Sequence, residues 1–129
     1  QKADGDINYT AIRFAEVLLW EAEALAELGR TAEAQAPLET VRARARAQAT
    51  DPATSLPPIV LTDKTAMIEA VRHERSVELG FECHRFFDLV RWGIAAQKLP
   101  EFVAGKHEVF PIPQAELDLN PQLRQNEGY

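Results

Sequence analysis

The residues of this chain that could carry chemistry are few, and each falls short of the arrangement its chemistry needs. His73-Glu74 opens a zinc-protease helix motif, which requires a second histidine one turn later so that two imidazoles share a face; that position is Val77. Glu82, Cys83 and His84 put three reactive types in succession. Consecutive side chains on a helix point apart, however, so adjacency yields neither a metal set nor a thiolate–imidazole pair. No Gly-x-Ser-x-Gly elbow supplies a nucleophile, and the six glycines are scattered as helix stops and turn residues rather than gathered into a phosphate cradle. The expectation is no catalytic residue, no metal and no cofactor, hence no enzyme.

Three further features invite a role. Trp20 and Trp92 offer flat apolar faces of the kind that stack on sugar rings, but at helical spacing beside Val17 and Phe86 to Val90 they read as core, Trp20 in a hairpin contact and Trp92 closing an aromatic stripe. Glu74, Arg75, Glu78, Glu82, Arg85, Asp88 and Arg91 alternate in sign at three- and four-residue steps, so they read as ion pairs on adjacent turns. Set beside the aromatic cluster, they are expected to form a polar clasp between hairpin and tail. Cys83, the lone cysteine, cannot close an internal disulfide and is expected as a small packed thiol.

The elements that must hold these residues follow from periodicity and punctuation. From Ile12 to Leu28 the apolar positions Phe14, Val17, Leu18, Ala22, Leu25 and Leu28 trace one helix face, and Gly29 stops it. Thr31 is placed to cap a second helix through about Arg46, buried along Ala34, Leu38, Val41 and Ala45, with Arg42, Arg44 and Arg46 near its C-terminus. Pro37 in its interior predicts a kink or a late start. Residues 49–62, with three prolines, form an irregular connection that packs Ile59, Val60 and Leu61, and Asp63 caps a third helix over Lys64–Leu79. That helix buries Met67, Ile68, Val71, the stem of Arg75, Val77 or Ser76, and Leu79. After Gly80, the aromatic run Phe81–Trp92 predicts a buried short helix ended by Gly93, with one more turn through Leu99. Prolines 100, 111, 113 and 121 then forbid long regular structure, and Phe102, Val109, Phe110, Ile112 and Leu117 hold the tail against the helices.

The class is all-α: two helical hairpins and a wrapping tail. The chain reads as one unit over 1–129, with a first hairpin at 1–48, a linker at 49–63, a second helical region at 64–99 and an irregular tail at 100–129. At 129 residues, 46% hydrophobic and 26% charged, it has the composition of a folded globular chain. A net charge of -6 disfavours nucleic acid and anionic lipid, which reward clustered cations. No apolar run reaches the roughly 18–20 residues of a membrane span, and Gln1-Lys2-Ala3-Asp4 has no apolar signal core. The beginning reads like the middle of something longer.

Arg13 to Leu19 followed by Glu21-Ala22-Glu23-Ala24 and Leu28-Gly29-Arg30 resembles the first C-terminal hairpin of the SusD/RagB family, as does Val41 to Ala45. More specific is the ordered series Glu69-Ala70-Val71-Arg72-His73-Glu74-Arg75, Glu78-Leu79-Gly80-Phe81-Glu82 and His84-Arg85-Phe86-Phe87-Asp88-Leu89-Val90-Arg91-Trp92-Gly93. The ending, Phe110-Pro111-Ile112-Pro113 with Glu116, Asn120-Pro121 and Gln125-Asn126-Glu127-Gly128-Tyr129, looks like the family's closing segments. Cys83, Glu127 and Pro37 depart from the pattern. The resemblance implies tetratricopeptide-like hairpins in a lipoprotein of the outer membrane at the cell surface, anchored by lipid on an N-terminal part beyond this chain. It implies capture of a glycan or other nutrient and hand-over to a TonB-dependent outer-membrane transporter, with no bond broken. The matching motifs are scaffold motifs, so ligand-contacting positions stay unknown. The alternative is a stand-alone helical-repeat module that binds a protein, against which stand only two hairpins where such arrays use three or more repeats.

Overall fold

The computed structural model describes residues 10–129, and the N-terminal stretch read for an export signal lies outside them. Among the described residues the chain is helical with no β-strand: α1 Phe14–Glu27, α2 Thr31–Ala47, α3 Lys64–Glu78, α4 Arg85–Arg91, α5 Ala95–Lys98 and α6 Gln114–Leu119. None of these helices is long and apolar enough to cross a membrane. Two compact units emerge, one through Glu82 and one from Cys83 to Tyr129. The region 64–99 is divided between them, with α3 in the first and α4 and α5 in the second.

In the first unit α1 and α2 form the expected hairpin. Gly29 takes φ +75°, its amide bonds the carbonyl of Ala26 and the amide of Arg30 bonds that of Leu25, the paired bonds that close a helix through a left-handed residue. Thr31 is the first helical residue rather than the cap: the capping position is Arg30, and the Thr31 hydroxyl turns back to the carbonyl of Gly29. The late start at Pro37 does not occur either. The helix runs through it, forfeiting the bond to the Glu33 carbonyl, a loss of order 3 kcal/mol set against the burial of Pro37 beside Ala34, Leu38 and Val41.

The apolar stripe read for α1 is displaced by about one position. Phe14 and Leu28 are 72% and 71% exposed, Leu18 and Leu25 are half-buried, and of the expected face only Ala22 is fully enclosed. The enclosed residues are Glu16, Leu19, Ala22, Glu23 and Ala26. Counting apolar types alone missed this face because two of its members are carboxylates that the interior accepts. Leu19 packs with Leu38, Val41, Met67 and Val71, each such side chain stabilising the fold by about 1.5–3 kcal/mol.

Helix α3 packs mainly along α1. Lys64 at its start donates to the Glu27 carbonyl at the end of α1 at 2.6 Å, while Arg75 near its end faces Glu16 near the start of α1, so the two run antiparallel. The Asp63 carboxylate accepts the Ala66 amide at 2.8 Å, the cap expected there. Arg75 is enclosed to its guanidinium, not merely along its stem, and Val77 is exposed, leaving Ser76 as the half-buried alternative. Ala45 of α2 is only half-buried. In the connection before Asp63, Ile59 and Leu61 pack on the core but Val60 is 79% exposed. Carbonyls of that connection are held by α2: Arg46 donates to Leu56, Arg42 to Pro57 and Gln35 to Leu61.

The aromatic run, which begins at the end of the first unit and continues into the second, is less core-like than its composition implies. The helix begins at Arg85, Phe81 is fully exposed with φ 65°, and Phe87 is 57% exposed. Positive φ falls on Phe81 and Cys83 and not on Gly80. Glu82 turns inward to an arginine, so its neighbour in sequence turns out to solvent. Leu89 and Asp88 are the enclosed residues of α4. Gly93 ends the helix at φ +68° with the same paired bonds as Gly29, from its own amide to Val90 and from Ile94 to Leu89. The tail reaches α4 through Phe102 and Phe110, whose rings lie 6.2 and 6.1 Å from that of Phe86, and it contributes a short helix, α6, that periodicity did not announce.

Candidate functional site

Most of the charged residues singled out by their spacing are engaged in pairing, and in the first unit the pairs run across helices rather than along one. Glu74 meets Arg42 at 2.8 Å, Glu78 meets both Arg13 and Arg44 at 2.6 Å, and Arg75 faces Glu16 at 3.9 Å. Arg13 forks onto Glu82 through Nε and Nη2 at 2.8 Å each. The Arg13 guanidinium is raised above the ordinary arginine range, first by its bonds to Glu82, with burial opposing and Glu78 adding to the rise. The clasp expected between hairpin and tail thus finds its arginines at the start of α1 and on α2. The reason is length: α2 brings Arg42 and Arg44 alongside the end of α3, and a carboxylate left buried without a cation is costly. In the second unit Asp88 pairs with Arg91 one turn on, at 2.9 Å, as spacing foresaw.

The other candidates do not converge. Glu74 is enclosed by its pairing whereas His73 is exposed, and among the described residues no three His, Cys, Asp or Glu are placed to hold a metal ion. Cys83 is exposed at φ 64°, not packed, because it lies in the connection between α3 and α4 rather than on a helix face. Trp20 is 42% exposed on the outer flank of α1 and takes no place in the core, since that core face is filled by Glu16, Leu19 and Glu23. Trp92 is half-buried, with the Arg91 guanidinium 4.8 Å above its ring.

Two concavities have the lining of a binding place. In the first unit, Phe14, Leu18 and Val41 floor a groove of about 420 Å³ whose cations, Arg13 and Arg44, are already engaged with Glu78. In the second unit, Phe86, Phe102, Phe110 and Tyr129 wall a cavity of about 310 Å³ that also receives Glu101 and His107. Its walls are held from behind. The Phe102 and His107 rings meet edge to face at 5.7 Å, and His107 Nδ1 accepts the Val103 amide at 3.0 Å. The Tyr129 hydroxyl donates to the Val109 carbonyl, and Gln125 clamps both the amide and the carbonyl of Ile112. Neither tryptophan lines these two concavities. The sequence marks Phe102 and Phe110 as packing residues and Tyr129 only within the closing segment, and it gives Glu101 and His107 no role; the one signal for the cavity was aromatic density in a tail too rich in proline to bury it in helices.

Comparison with known proteins is consistent throughout. The family model described as the SusD family matches residues 1–109. SusD-like protein P25 of Formosa agariphila is 35% identical over 136 residues, covering 95% of this chain and 25% of the relative. SusD-like protein P2 of the same organism is 31% identical, covering 98% and 27%. Among solved structures, a SusD homolog from Bacteroides thetaiotaomicron superimposes with a TM-score of 0.74 at 39% identity, over 92% of this chain and 26% of that one. A SusD-like protein from Bacteroides fragilis gives 0.76 at 27% identity, over 95% and 26%. The chain therefore spans about a quarter of the length of the relatives it matches.

Proposed function

The chain belongs to the SusD/RagB family, whose fold is helical and tetratricopeptide-like, and from that premise we propose that it serves as the scaffold-rich part of a nutrient-binding lipoprotein at the outer-membrane surface. Members of the family are binding proteins rather than enzymes. On this reading the whole protein captures a glycan or other nutrient and passes it to a TonB-dependent transporter, and the principal ligand contacts are made by parts of it other than this helical scaffold. The supporting observation is the use made of charge. Carboxylates and arginines that could have met a substrate are spent on one another inside the first unit, Glu74 on Arg42 and Glu78 on Arg13 and Arg44. Such pairs fix which helix faces meet. The rival reading, a stand-alone helical-repeat module, has the α1–α2 hairpin alone in its favour.

Calorimetry with a glycan panel on this chain and on the full-length protein tests the proposal. Micromolar or tighter oligosaccharide binding by the full-length protein, absent from the 129-residue chain, is the expected result. Equal affinity in the two would place the principal site here and overturn the scaffold assignment. Co-purification of the full-length protein with an outer-membrane transporter tests the partner, and its isolation from membranes without one argues against it.

A further inference from the structure

The aromatic cavity of the second unit has features that packing alone does not call for. Its volume, about 310 Å³, lies at the lower end of the roughly 300–1,000 Å³ of small-molecule sites, enough for one ring and not for a chain of them. Phe110 remains 66% exposed and Phe86 and Phe102 are half-buried, so ring faces are left open after the phenyl groups have met one another. Two polar groups of opposite hydrogen-bonding sense stand among these faces. Glu101 makes no hydrogen bond or ion pair among the described residues, so its carboxylate keeps its full acceptor capacity. His107 accepts the Val103 amide at Nδ1, which in the neutral ring places its proton on Nε2, and the edge contact with Phe102 fixes the ring plane.

We infer that this cavity is an accessory subsite for a single ring of a neutral saccharide, formed by the open faces of Phe86, Phe102 and Phe110 with Glu101 as hydroxyl acceptor and His107 Nε2–H as donor. The inference rests on the nutrient-binding reading and adds a place and a ligand class to it. A pyranose presents an apolar C–H face, which packs on a phenyl face with little loss of water, and a rim of hydroxyls that both donate and accept. Other ligand classes fit less of the lining. An anion meets the Glu101 carboxylate, while the Lys106 ammonium is already seated 4.7 Å over the Tyr129 ring. A cationic guest can pair with Glu101 but, being a donor only, leaves the His107 Nε2–H without an acceptor. A purely apolar guest strips water from Glu101 and His107 and returns no hydrogen bond.

The test is an NMR titration of the isotopically labelled 129-residue chain with the methyl pyranosides of glucose, galactose and mannose and with N-acetylglucosamine. At least one is expected to give saturable shifts centred on Phe86, Phe102 and His107, with a millimolar Kd. Glu101→Gln, a change at an exposed position that keeps shape, and His107→Gln are each expected to weaken that Kd by about tenfold, whereas Trp20→Ala leaves it unchanged. The absence of saturable shifts up to 100 mM of every probe, saturation centred elsewhere, or an unaltered Kd in both variants overturns the subsite. The same Glu101→Gln change in the full-length protein separates the two readings. If that protein binds oligosaccharide and the change has no effect, nutrient binding stands and this subsite falls; if it binds nothing in the panel, the nutrient-binding reading itself falls.

Discussion

The two units solve the same problem with opposite materials. In the first, Glu16, Glu74 and Arg75 are enclosed and few aromatic rings take part; long helices meet through Leu19, Leu38, Met67 and Val71, with ion pairs fixing their order. In the second, helices of four to seven residues have little face to offer, and order comes from a cluster of phenyl rings and from side chains that clamp main-chain groups. Helix length accounts for the difference. A helix of fifteen residues carries arginines from one partner to carboxylates on another, whereas a proline-rich tail has unpaired amides and carbonyls that must be met locally, as Gln125 does for Ile112 and Asn126 for the Phe110 carbonyl.

That contrast is open to measurement by denaturant unfolding of the whole chain. The largest effect is expected at Glu74→Ala, which strips the mostly buried Arg42 of its carboxylate and leaves it the Pro57 carbonyl alone, and should lower stability by about 3 kcal/mol, the low end of the range for a buried pair. If directional pairing rather than net energy is its contribution, the double change Arg42→Met with Glu74→Leu recovers most of that loss. A double variant as unstable as the single one would show that the pair stabilises outright. Phe86→Ala removes the ring common to the contacts with Phe87, Phe102 and Phe110; because it is half-buried the expected loss is about 2 kcal/mol, below the range for a fully enclosed phenylalanine. Hydrogen exchange should show that loss in residues 83–129 and little change in residues 14–78.

Smaller effects probe the local devices. Gln125→Ala forfeits three bonds, to the amide and carbonyl of Ile112 and from the amide of Asn126, for about 1–2 kcal/mol. Asp63→Ala removes the cap of α3 for about 1 kcal/mol, with Asp63→Asn expected to keep most of it. The least is expected at Asp51, fully exposed, whose carboxyl is held below the ordinary range by the Thr54 hydroxyl. Its folded value is depressed, so its contribution is present above the ordinary aspartate range and is lost as pH falls through the folded value. An NMR titration of the 51–54 turn should therefore show Asp51 protonating at lower pH in the wild type than in Thr54→Ala.

Much of the first unit was legible in the chain. Gly29 and Asp63 act where turn chemistry placed them, as Gly93 does in the second unit, and Leu38, Val41, Met67 and Val71 are buried as their spacing required. The helical face of α1 was not legible, because Glu16 and Glu23 count as polar in any tally of apolar positions and are enclosed only once α3 brings Arg75 to Glu16. Nor was the exposure of Phe81 and Cys83, which follows from Glu82 reaching Arg13, a partner 69 residues away in sequence. The aromatic cavity was half legible: Phe102 and Phe110 stood out in the tail, while Glu101 and His107 had no periodic or motif signal to mark them.

The sequence by itself determined the helical class, the helix stops, the family and the lack of any recognised catalytic motif, since these depend on local propensity, on glycine and proline, and on ordered motifs read along the chain. Only the tertiary structure decided which arginine meets which carboxylate, which flank of α1 faces solvent, and that ring faces, a carboxylate and an imidazole N–H gather in one cavity. The physical reason is range: a turn is settled by residues within four positions of one another, whereas burying a charge or assembling a cavity depends on partners that only the folded chain brings within hydrogen-bonding distance.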